Sequence, residues 1–142
     1  MADRRVLSVS LVTPEGGAYE GEAEMVIVPG AAGEIGVLAR HAPLVALLKA
    51  GSVRIYESVE PEEMREFAVG PGFFKVERDR AIALVDDAIP AREIDHERAQ
   101  RQLEEARAEL EAIERGDSTA DRWQTEQRIR HAENQLAVVG RE

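Results

Sequence analysis

The hydrophobic period of this sequence changes near Pro90, and this change limits the fold more than any other feature. Before it, short apolar or alternating runs are separated by turns rich in Gly, Pro and Asp, as in the strands of a sandwich or barrel. After it, apolar residues recur at steps of three and four, as along one side of a helix. The sequence therefore predicts an α+β protein, with an N-terminal β-sandwich or barrel at 1–89 and a helical region at 90–142.

The helical region is predicted to be an antiparallel hairpin of two helices, because Gly116 and its polar neighbours interrupt the pattern. Asp95 stands at the expected N-cap of the first helix, and Ser118 with Asp121 resembles a capping box before the second. Trp123 falls outside the apolar pattern of its helix. Each helix has one narrow apolar seam: Ala99, Leu103, Ala106, Leu110 and Ile113 in the first, and Ile129, Ala132, Leu136 and Val139 in the second.

The seam of the hairpin is thin, because three of its positions are alanine. Burying a methyl group removes little area from water, and each Å² contributes only about 25 cal/mol. A hairpin packed this lightly opens or re-docks at modest cost. We therefore expect its docking on the β region to be switchable.

Composition excludes several classes of function. The formal net charge is −10, which argues against nucleic acid and against a bare anionic membrane as partners. The sequence has no cysteine, and so neither a disulfide nor a thiolate metal site. No run reaches the roughly 18 apolar residues of a membrane-spanning helix, and the first residues lack a signal-peptide core. We expect a protein that is soluble inside the cell.

The sequence has no recognisable motif for catalysis or metal binding. Gly30, Gly33 and Gly36 match neither the dinucleotide fingerprint nor a P-loop. No Ser, Cys or Lys lies in a nucleophile motif, and neighbouring carboxylates such as Glu104 and Glu105 point apart on a helix. The three histidines share no metal-ligand spacing: His41, His96 and His131. An adaptor or regulatory subunit fits the sequence better than an enzyme.

The segment 33–44 has too many apolar residues for a linker and too much Gly and Pro for a helix. It lies between two strand-like runs, at 24–28 and 51–56. We interpret it as a shaped turn on a rigid β scaffold, which is where many proteins place binding residues.

Several motifs follow one another along the whole chain: Thr-Pro-Glu-Gly at 13–16, Gly-Glu-Ile-Gly-Val-Leu at 33–38, His-Ala-Pro-Leu at 41–44, Gly-Phe-Phe-Lys-Val at 72–76 and Ile-Asp-His-Glu-Arg-Ala at 94–99. In this order the sequence resembles the epsilon subunit of bacterial and chloroplast F-type ATP synthases. The second and third motifs together are highly specific, and the match includes the change to a helical hairpin.

The resemblance implies a non-catalytic rotor subunit of a proton-translocating ATP synthase. Its head, 1–89, would contact the gamma subunit and the c ring, and its hairpin, 90–142, would be regulatory. In a compact form the hairpin folds against the head; in an extended form it reaches the catalytic alpha and beta subunits and restrains ATP hydrolysis. The resemblance also implies a monomer when isolated, no nucleic-acid partner, and a peripheral position on the cytoplasmic face of the cell membrane within the complex.

The resemblance assigns Glu34 and His41 to the contact with the c ring, because they fall where family members touch the polar loops of that ring. The alternative is that both are merely turn residues.

Three arginines of the second helix would give the extended hairpin cations to offer to acidic catalytic subunits: Arg122, Arg128 and Arg130. The alternative is ordinary ion pairing along the helix surface, because Arg122 and Arg130 each lie four residues from Glu126.

Asp95, Arg98 and Ala99 match the motif through which some members of the resembled family bind regulatory ATP. Arg98 can pair with phosphate, whereas Asp95 either accepts from the nucleotide or caps the helix. The family's site also uses two basic residues of the second helix, which align here with His131 and Gln135. Because one is weakly basic and the other neutral, either ATP binding is weak or the motif is only structural.

A second hypothesis comes from another class of protein: a free-standing β-sandwich binding module with a helical dimerisation tail. The mass of the protein in solution distinguishes the two hypotheses. A rotor subunit is expected as a monomer that co-purifies with a gamma-like partner, and the module as a tight homodimer.

Overall fold

The computed structural model describes residues 5–139, which form ten strands, one short 3-10 helix and two α-helices. The chain divides into two compact units between Pro90 and Ala91. The strands make up the first unit and the helices the second, so the predicted fold class is confirmed. Between residues 5 and 139, no helix combines the length and the hydrophobicity that a membrane span requires.

The first unit contains only β elements. Its strands are β1 (Leu7–Thr13), β2 (Gly16–Ala23), β3 (Met25–Gly30), β4 (Gly33–Leu38), β5 (Leu44–Leu48), β6 (Gly51–Ser58), β7 (Glu63–Val69), β8 (Gly72–Glu77), β9 (Arg80–Val85) and β10 (Ala88–Pro90).

The strands follow the order β10-β7-β6-β3-β5-β8-β9-β1-β2, and β4 pairs with β3 outside this path. Every pair is antiparallel except β1 with β9, which run parallel with Ser8 opposite Arg80. Strands far apart in this order, such as β2 and β6, are neighbours in space. The sheet therefore curves into a nearly closed sandwich with one interior.

Alternation places the apolar side chains of the strands in that interior. In β1, Leu7, Val9 and Leu11 are buried while the residues between them face outward. In β8, Phe74 and Val76 are buried in the same way. Burial of such a side chain contributes about 1.5–3 kcal/mol. All members of this core come from the first unit, between Leu7 and Val85.

A polar contact links β2 and β6, which do not pair with each other. The hydroxyl of Tyr19 on β2 donates to Glu57 Oε2 on β6 at 2.7 Å. The Tyr19 ring meets Phe67 edge-on, with 6.1 Å between ring centroids. Burial and the hydrogen bond to Glu57 raise the pKa of Tyr19 to about 12, because both disfavour the phenolate.

The second unit begins with a 3-10 turn at Ala91–Glu93, followed by α1 (His96–Glu114) and α2 (Arg122–Val139), which pack against each other. Asp95 is the N-cap of α1, as predicted, since its Oδ1 accepts from the Arg98 backbone N–H at 3.1 Å.

The predicted capping box of α2 is wrong in its register. Because α2 starts at Arg122, the residue in the capping position is Asp121, and its Oδ1 accepts from the Gln124 N–H at 3.0 Å. Ser118 instead serves the connection between the helices: its hydroxyl donates to Glu109 Oε1 at 2.8 Å and accepts from the Ala120 N–H at 3.1 Å.

The seams of the two helices differ in how well the apolar pattern predicts them. In α1, Ala99, Leu103 and Ala106 are buried, and Leu110 and Ile113 are half-buried. In α2 only Ala132 of the predicted seam is buried, and Ile129, Leu136 and Val139 are half-buried. The buried side chains of α2 are Thr125, Ala132, Gln135 and Val138.

Two of the buried positions of α2 are polar and satisfy their hydrogen bonds within the helix. The Thr125 hydroxyl donates to the Asp121 carbonyl at 2.9 Å. The Gln135 Nε2 lies 2.7 Å from the His131 Nε2. A buried polar side chain costs little when it is bonded, so an apolar pattern alone cannot locate these positions.

Candidate functional site

The strand β4 presents a polar and an apolar side chain on its outer face. Ile35 and Val37 point toward the core, whereas Glu34 and Leu38 point outward, both with 57% exposure. Among residues 5–139, β4 pairs with β3 alone. The strand therefore offers an accessible face and edge to a partner.

Glu34 is held by a cation from another strand. Arg54 on β6 donates from Nη2 to Glu34 Oε2 at 2.7 Å. Burial alone would lower the pKa of Arg54, but the hydrogen bonds and charges of Glu34 and Tyr56 together outweigh it, and the pKa is raised above its ordinary value. Arg54 therefore stays charged and orients the Glu34 carboxylate. The sequence interpretation missed Arg54, since nothing in its spacing from Glu34 signals the pairing.

His41 lies in the connection that leaves β4, and that connection is anchored to a second turn. Arg40 has a left-handed backbone, φ +65°, and its N–H donates to Asp79 Oδ1 at 2.5 Å. Asp79 belongs to the tight turn between β8 and β9. His41 is half-buried, and its Nδ1 lies 2.6 Å from the Ala42 carbonyl oxygen. Because a carbonyl only accepts, Nδ1 is the donor in this contact.

The structure does not bring Glu34 and His41 together. Glu34 is the second residue of β4, and His41 follows the end of the strand at Leu38. Four steps along a strand, from Glu34 to Leu38, span about 13 Å. A partner that touches both residues must therefore run along β4.

A second outward surface lies on β5, β8 and β9. Leu47 is paired with Phe73, and Phe73 with Leu84, so the three form one row across the strands. Their exposures are 66%, 40% and 45%. A contiguous row of exposed apolar side chains marks an interaction surface. The sequence contained a signal for it, because Leu44–Leu48 reads LVALL, which is apolar on both faces of a strand.

The residues of the ATP-binding motif take structural roles at the start of α1. The Asp95 carboxylate caps the helix, and Ala99 is buried. Arg98 is exposed. In α2, Gln135 is buried and bonded to His131. These positions supply one arginine, one histidine and one glutamine, which is a poor fit to a polyphosphate that requires several cations.

The three arginines of α2 differ in the ion pairs that they make. Arg122 donates to Glu126 Oε1 at 3.0 Å and to Glu114 Oε1 of α1 at 3.3 Å. Arg128 and Arg130 are exposed and make no ion pair with any residue in the 5–139 range. Of the two ion pairs expected along the helix, the structure contains Arg122–Glu126. It does not contain Glu126–Arg130 within residues 5–139.

Trp123 is exposed over 68% of its surface. It follows Arg122 in the first turn of α2. The sequence singled it out as a residue outside the apolar pattern, and the structure places it on the solvent side.

No group of three or more His, Cys, Asp or Glu side chains within residues 5–139 is arranged to hold a metal ion.

Comparison with known proteins gives one consistent family. Residues 6–91 match the model of the β-sandwich domain of the ATP synthase delta/epsilon chain. The ATP synthase epsilon chain of Rubrobacter xylanophilus is 39% identical over 140 residues, which is 96% of this chain and 94% of that one. The ATP synthase epsilon chain of Halalkalibacterium halodurans is 38% identical over 135 residues, 95% and 98% of the two chains.

Solved structures share the fold. A chain in the structure of Euglena gracilis mitochondrial ATP synthase, OSCP/F1/c-ring, superposes with a TM-score of 0.77 at 24% identity, over 98% of this chain and 84% of that one. A chain in the central stalk and c-ring structure of the Tetrahymena thermophila mitochondrial ATP synthase superposes with a TM-score of 0.54 at 14% identity, over 99% and 98%.

Proposed function

This chain belongs to the ATP synthase delta/epsilon chain family, and we propose that it is the epsilon subunit of a proton-translocating F-type ATP synthase. In this role it is a non-catalytic rotor subunit that couples the c ring and the gamma subunit to the catalytic head. The observation that carries the proposal is the alignment with epsilon chains over at least 94% of both sequences.

The first unit suits a part that transmits torque. Its strands share one buried core, and a close-packed interior transmits strain instead of yielding. We assign the contact with the c ring to Glu34 and His41, along β4. The apolar row Leu47, Phe73 and Leu84 is our candidate surface for the gamma subunit, because a permanent partner is the kind that covers exposed apolar side chains.

The second unit suits a regulatory arm. We propose that it inhibits ATP hydrolysis by reaching the catalytic alpha and beta subunits, with Arg122, Arg128 and Arg130 in the contact. Arg128 and Arg130 are available for this within the described part of the chain, whereas Arg122 must first leave Glu114 and Glu126.

We do not assign a regulatory nucleotide to this hairpin. Asp95 is occupied as a cap, and His131 with Gln135 replaces a pair of cations. Titration with Mg-free ATP by calorimetry is expected to give no saturable micromolar binding, and such binding would restore the nucleotide site at Asp95, Arg98 and Ala99.

The location follows from the same role. The family belongs to a membrane-bound complex, and we propose that this chain lies on the cytoplasmic face of the cell membrane, attached through the c ring and the gamma subunit.

The test is ATP hydrolysis by the reconstituted complex with and without residues 90–142. We expect faster hydrolysis without them, and an intermediate rate when Arg122, Arg128 and Arg130 are neutralised together. Equal rates with and without the hairpin would leave a purely structural subunit. An unchanged rate for the triple variant alone would remove the three arginines from the inhibitory contact.

A further inference from the structure

A polar groove lies on the outer face of β1, β8 and β9 in the first unit. Its volume is about 870 Å³. None of its residues belongs to the surfaces assigned above to the gamma subunit, the c ring or the catalytic subunits. Five of the lining side chains carry hydrogen-bond donors: Ser8 and Ser10 on β1, Lys75 on β8, Arg78 in the turn between β8 and β9, and Arg80 at the start of β9.

The pairing of the strands brings these donors together. Ser8 lies opposite Arg80 in the parallel pair of β1 with β9. Further along the same face, Ser10 lies opposite Ile82, and Ile82 lies opposite Lys75 on β8. Because neighbouring strands are about 4.8 Å apart, the hydroxyl of Ser8 and the guanidinium of Arg80 are within reach of one small ligand.

The turn that carries Arg78 is fixed by two other segments of the chain. Arg78 and Asp79 have left-handed backbones, with φ +51° and +57°, and glycine or asparagine is usual at such turn positions. The Asp79 carbonyl accepts from the Ser8 N–H at 2.8 Å, and its carboxylate accepts from the Arg40 N–H at 2.5 Å. Strained positions that their surroundings hold in place are common where a protein binds a ligand. Arg78 is therefore presented from a defined backbone.

Two of the three cations in the groove have no counter-charge. Lys75 Nζ lies 3.3 Å from Glu77 Oε2, so this lysine is paired. Arg78 and Arg80 are exposed, and neither makes an ion pair with any residue between 5 and 139. The whole chain carries a formal charge of −10, and yet these two arginines remain unpaired. Both guanidinium groups are therefore available to an anion from outside the chain.

The carboxylates near the groove restrict where an anion can bind. Glu20 and Glu22 lie on β2, on the side of β1 away from β9. Glu77 lies opposite Arg80 on β8 but already pairs with a lysine. An anion is therefore most stable on the β9 side of the groove, next to Arg78 and Arg80.

A phosphate group matches the donors on this side of the groove. A guanidinium offers parallel N–H donors whose spacing fits two phosphate oxygens, and a hydroxyl can donate to a third. A groove of this volume is typical of sites for small organic ligands, so it leaves room for the molecule that carries the phosphate. We propose that the groove binds a phosphate group, held by Arg78 and Arg80 with the Ser8 hydroxyl as a further donor.

The experiment titrates the isolated full-length chain with inorganic phosphate at constant ionic strength and follows the backbone amides by NMR. We expect saturable shifts at 8–10 and 78–82, with a dissociation constant on the order of 1 mM. Arg78→Gln combined with Arg80→Gln should weaken binding roughly tenfold, because both arginines supply charge-assisted hydrogen bonds. The matched control is Arg92→Gln combined with Arg101→Gln, which removes the same charge from exposed positions of the second unit and should keep the affinity.

A single variant separates loss of binding from damage to the turn. Arg80→Gln leaves both left-handed residues of the turn unchanged and should weaken phosphate binding by about threefold. Thermal unfolding followed by circular dichroism should give the midpoint of the natural chain. A folded Arg80→Gln variant that binds phosphate with the natural affinity would overturn the proposal.

A vesicle experiment identifies the source of the phosphate group. Co-sedimentation of the chain is compared between vesicles of phosphatidylglycerol and vesicles of phosphatidylcholine. Saturable shifts with inorganic phosphate, without a preference for phosphatidylglycerol, indicate a soluble phosphate compound. Binding to phosphatidylglycerol vesicles that the double variant loses and the control keeps indicates a lipid headgroup. If neither probe binds at the groove, or if the control loses as much affinity as the double variant, the proposal is wrong.

Discussion

At the scale of single residues, Arg54 determines how the Glu34 carboxylate is presented. The 2.7 Å bond between them crosses from β6 to β4, so the Glu34 carboxylate reaches a partner already oriented. The motif around Glu34 could be recognised in the sequence. Its cation could not, because the pairing depends on which strands the fold places on either side of β3.

The first prediction concerns Glu34 and His41. Each is replaced singly by cysteine, Glu34→Cys and His41→Cys, and cross-linking to the polar loops of the c ring is measured in the assembled enzyme. We expect an adduct from both positions. The natural chain, which contains no cysteine, is the control and should give none. If neither test position forms an adduct, the assignment of β4 to the ring is withdrawn.

The second prediction concerns Tyr19, whose pKa is about 12 in the folded protein against an ordinary value of about 10. A raised pKa means that the folded state favours the neutral phenol. The resulting stability is complete below about pH 10 and is lost as the pH rises toward 12. Urea unfolding between these values should show this loss in the natural protein and much less of it in Tyr19→Phe. Parallel curves for the two proteins would contradict the assignment.

At the scale of elements, the sequence predicts kinds of structure better than their boundaries. The alternation of β1 and the seam of α1 follow from apolar spacing alone. The seam of α2 does not, because Thr125 and Gln135 are buried polar residues bonded within their own helix. The predicted start of α2 is wrong because both Ser118 and Asp121 are good caps, and only the helix boundary shows which of them takes the capping position.

The third prediction compares Asp121 with Ser118. Asp121→Ala removes the cap of α2 and should cost about 1 kcal/mol of stability. Ser118→Ala removes side-chain bonds of the connection and leaves the cap in place, so its effect on the helical content of α2 should be smaller. Helicity by circular dichroism together with urea unfolding distinguishes the two. The reverse order would return the cap to Ser118.

The fourth prediction tests how firmly the hairpin is held. Two of its contacts between helices are exposed ion pairs, Arg122–Glu114 and Arg107–Glu133, and such pairs contribute less than about 1 kcal/mol each. Native-state hydrogen exchange should therefore show faster exchange for amides at 95–139 than for the core strands. Equal protection in the two regions would reject a switchable hairpin.

At the scale of the whole molecule, the change of period at Pro90 predicted the order of the two units, and the family resemblance predicted their uses. The sequence could not show which side chains of each unit lie next to one another on its surface. The row Leu47, Phe73 and Leu84 exists only because pairing aligns three separate strands.

The fifth prediction is that residues 1–90 fold without the hairpin. The members of their core lie between Leu7 and Val85, and the neighbouring Ala88 packs against them. The truncated chain should therefore keep a cooperative thermal transition within a few degrees of the full-length protein, followed by circular dichroism. A broad transition without cooperativity would show that the hairpin completes the head.

The parallel pairing of β1 with β9 has a consequence for the time course of synthesis. Ser8 on β1 lies beside Arg80 on β9. The second edge of β1 is therefore covered only after β9 has been synthesised. Ribosomes add roughly 5–20 residues per second, and the roughly 70 residues between these strands therefore take about 4–14 seconds to appear. For that interval β1 is a nascent hairpin strand with an open edge. The head closes only after β9 has emerged, near the end of the first unit at Pro90.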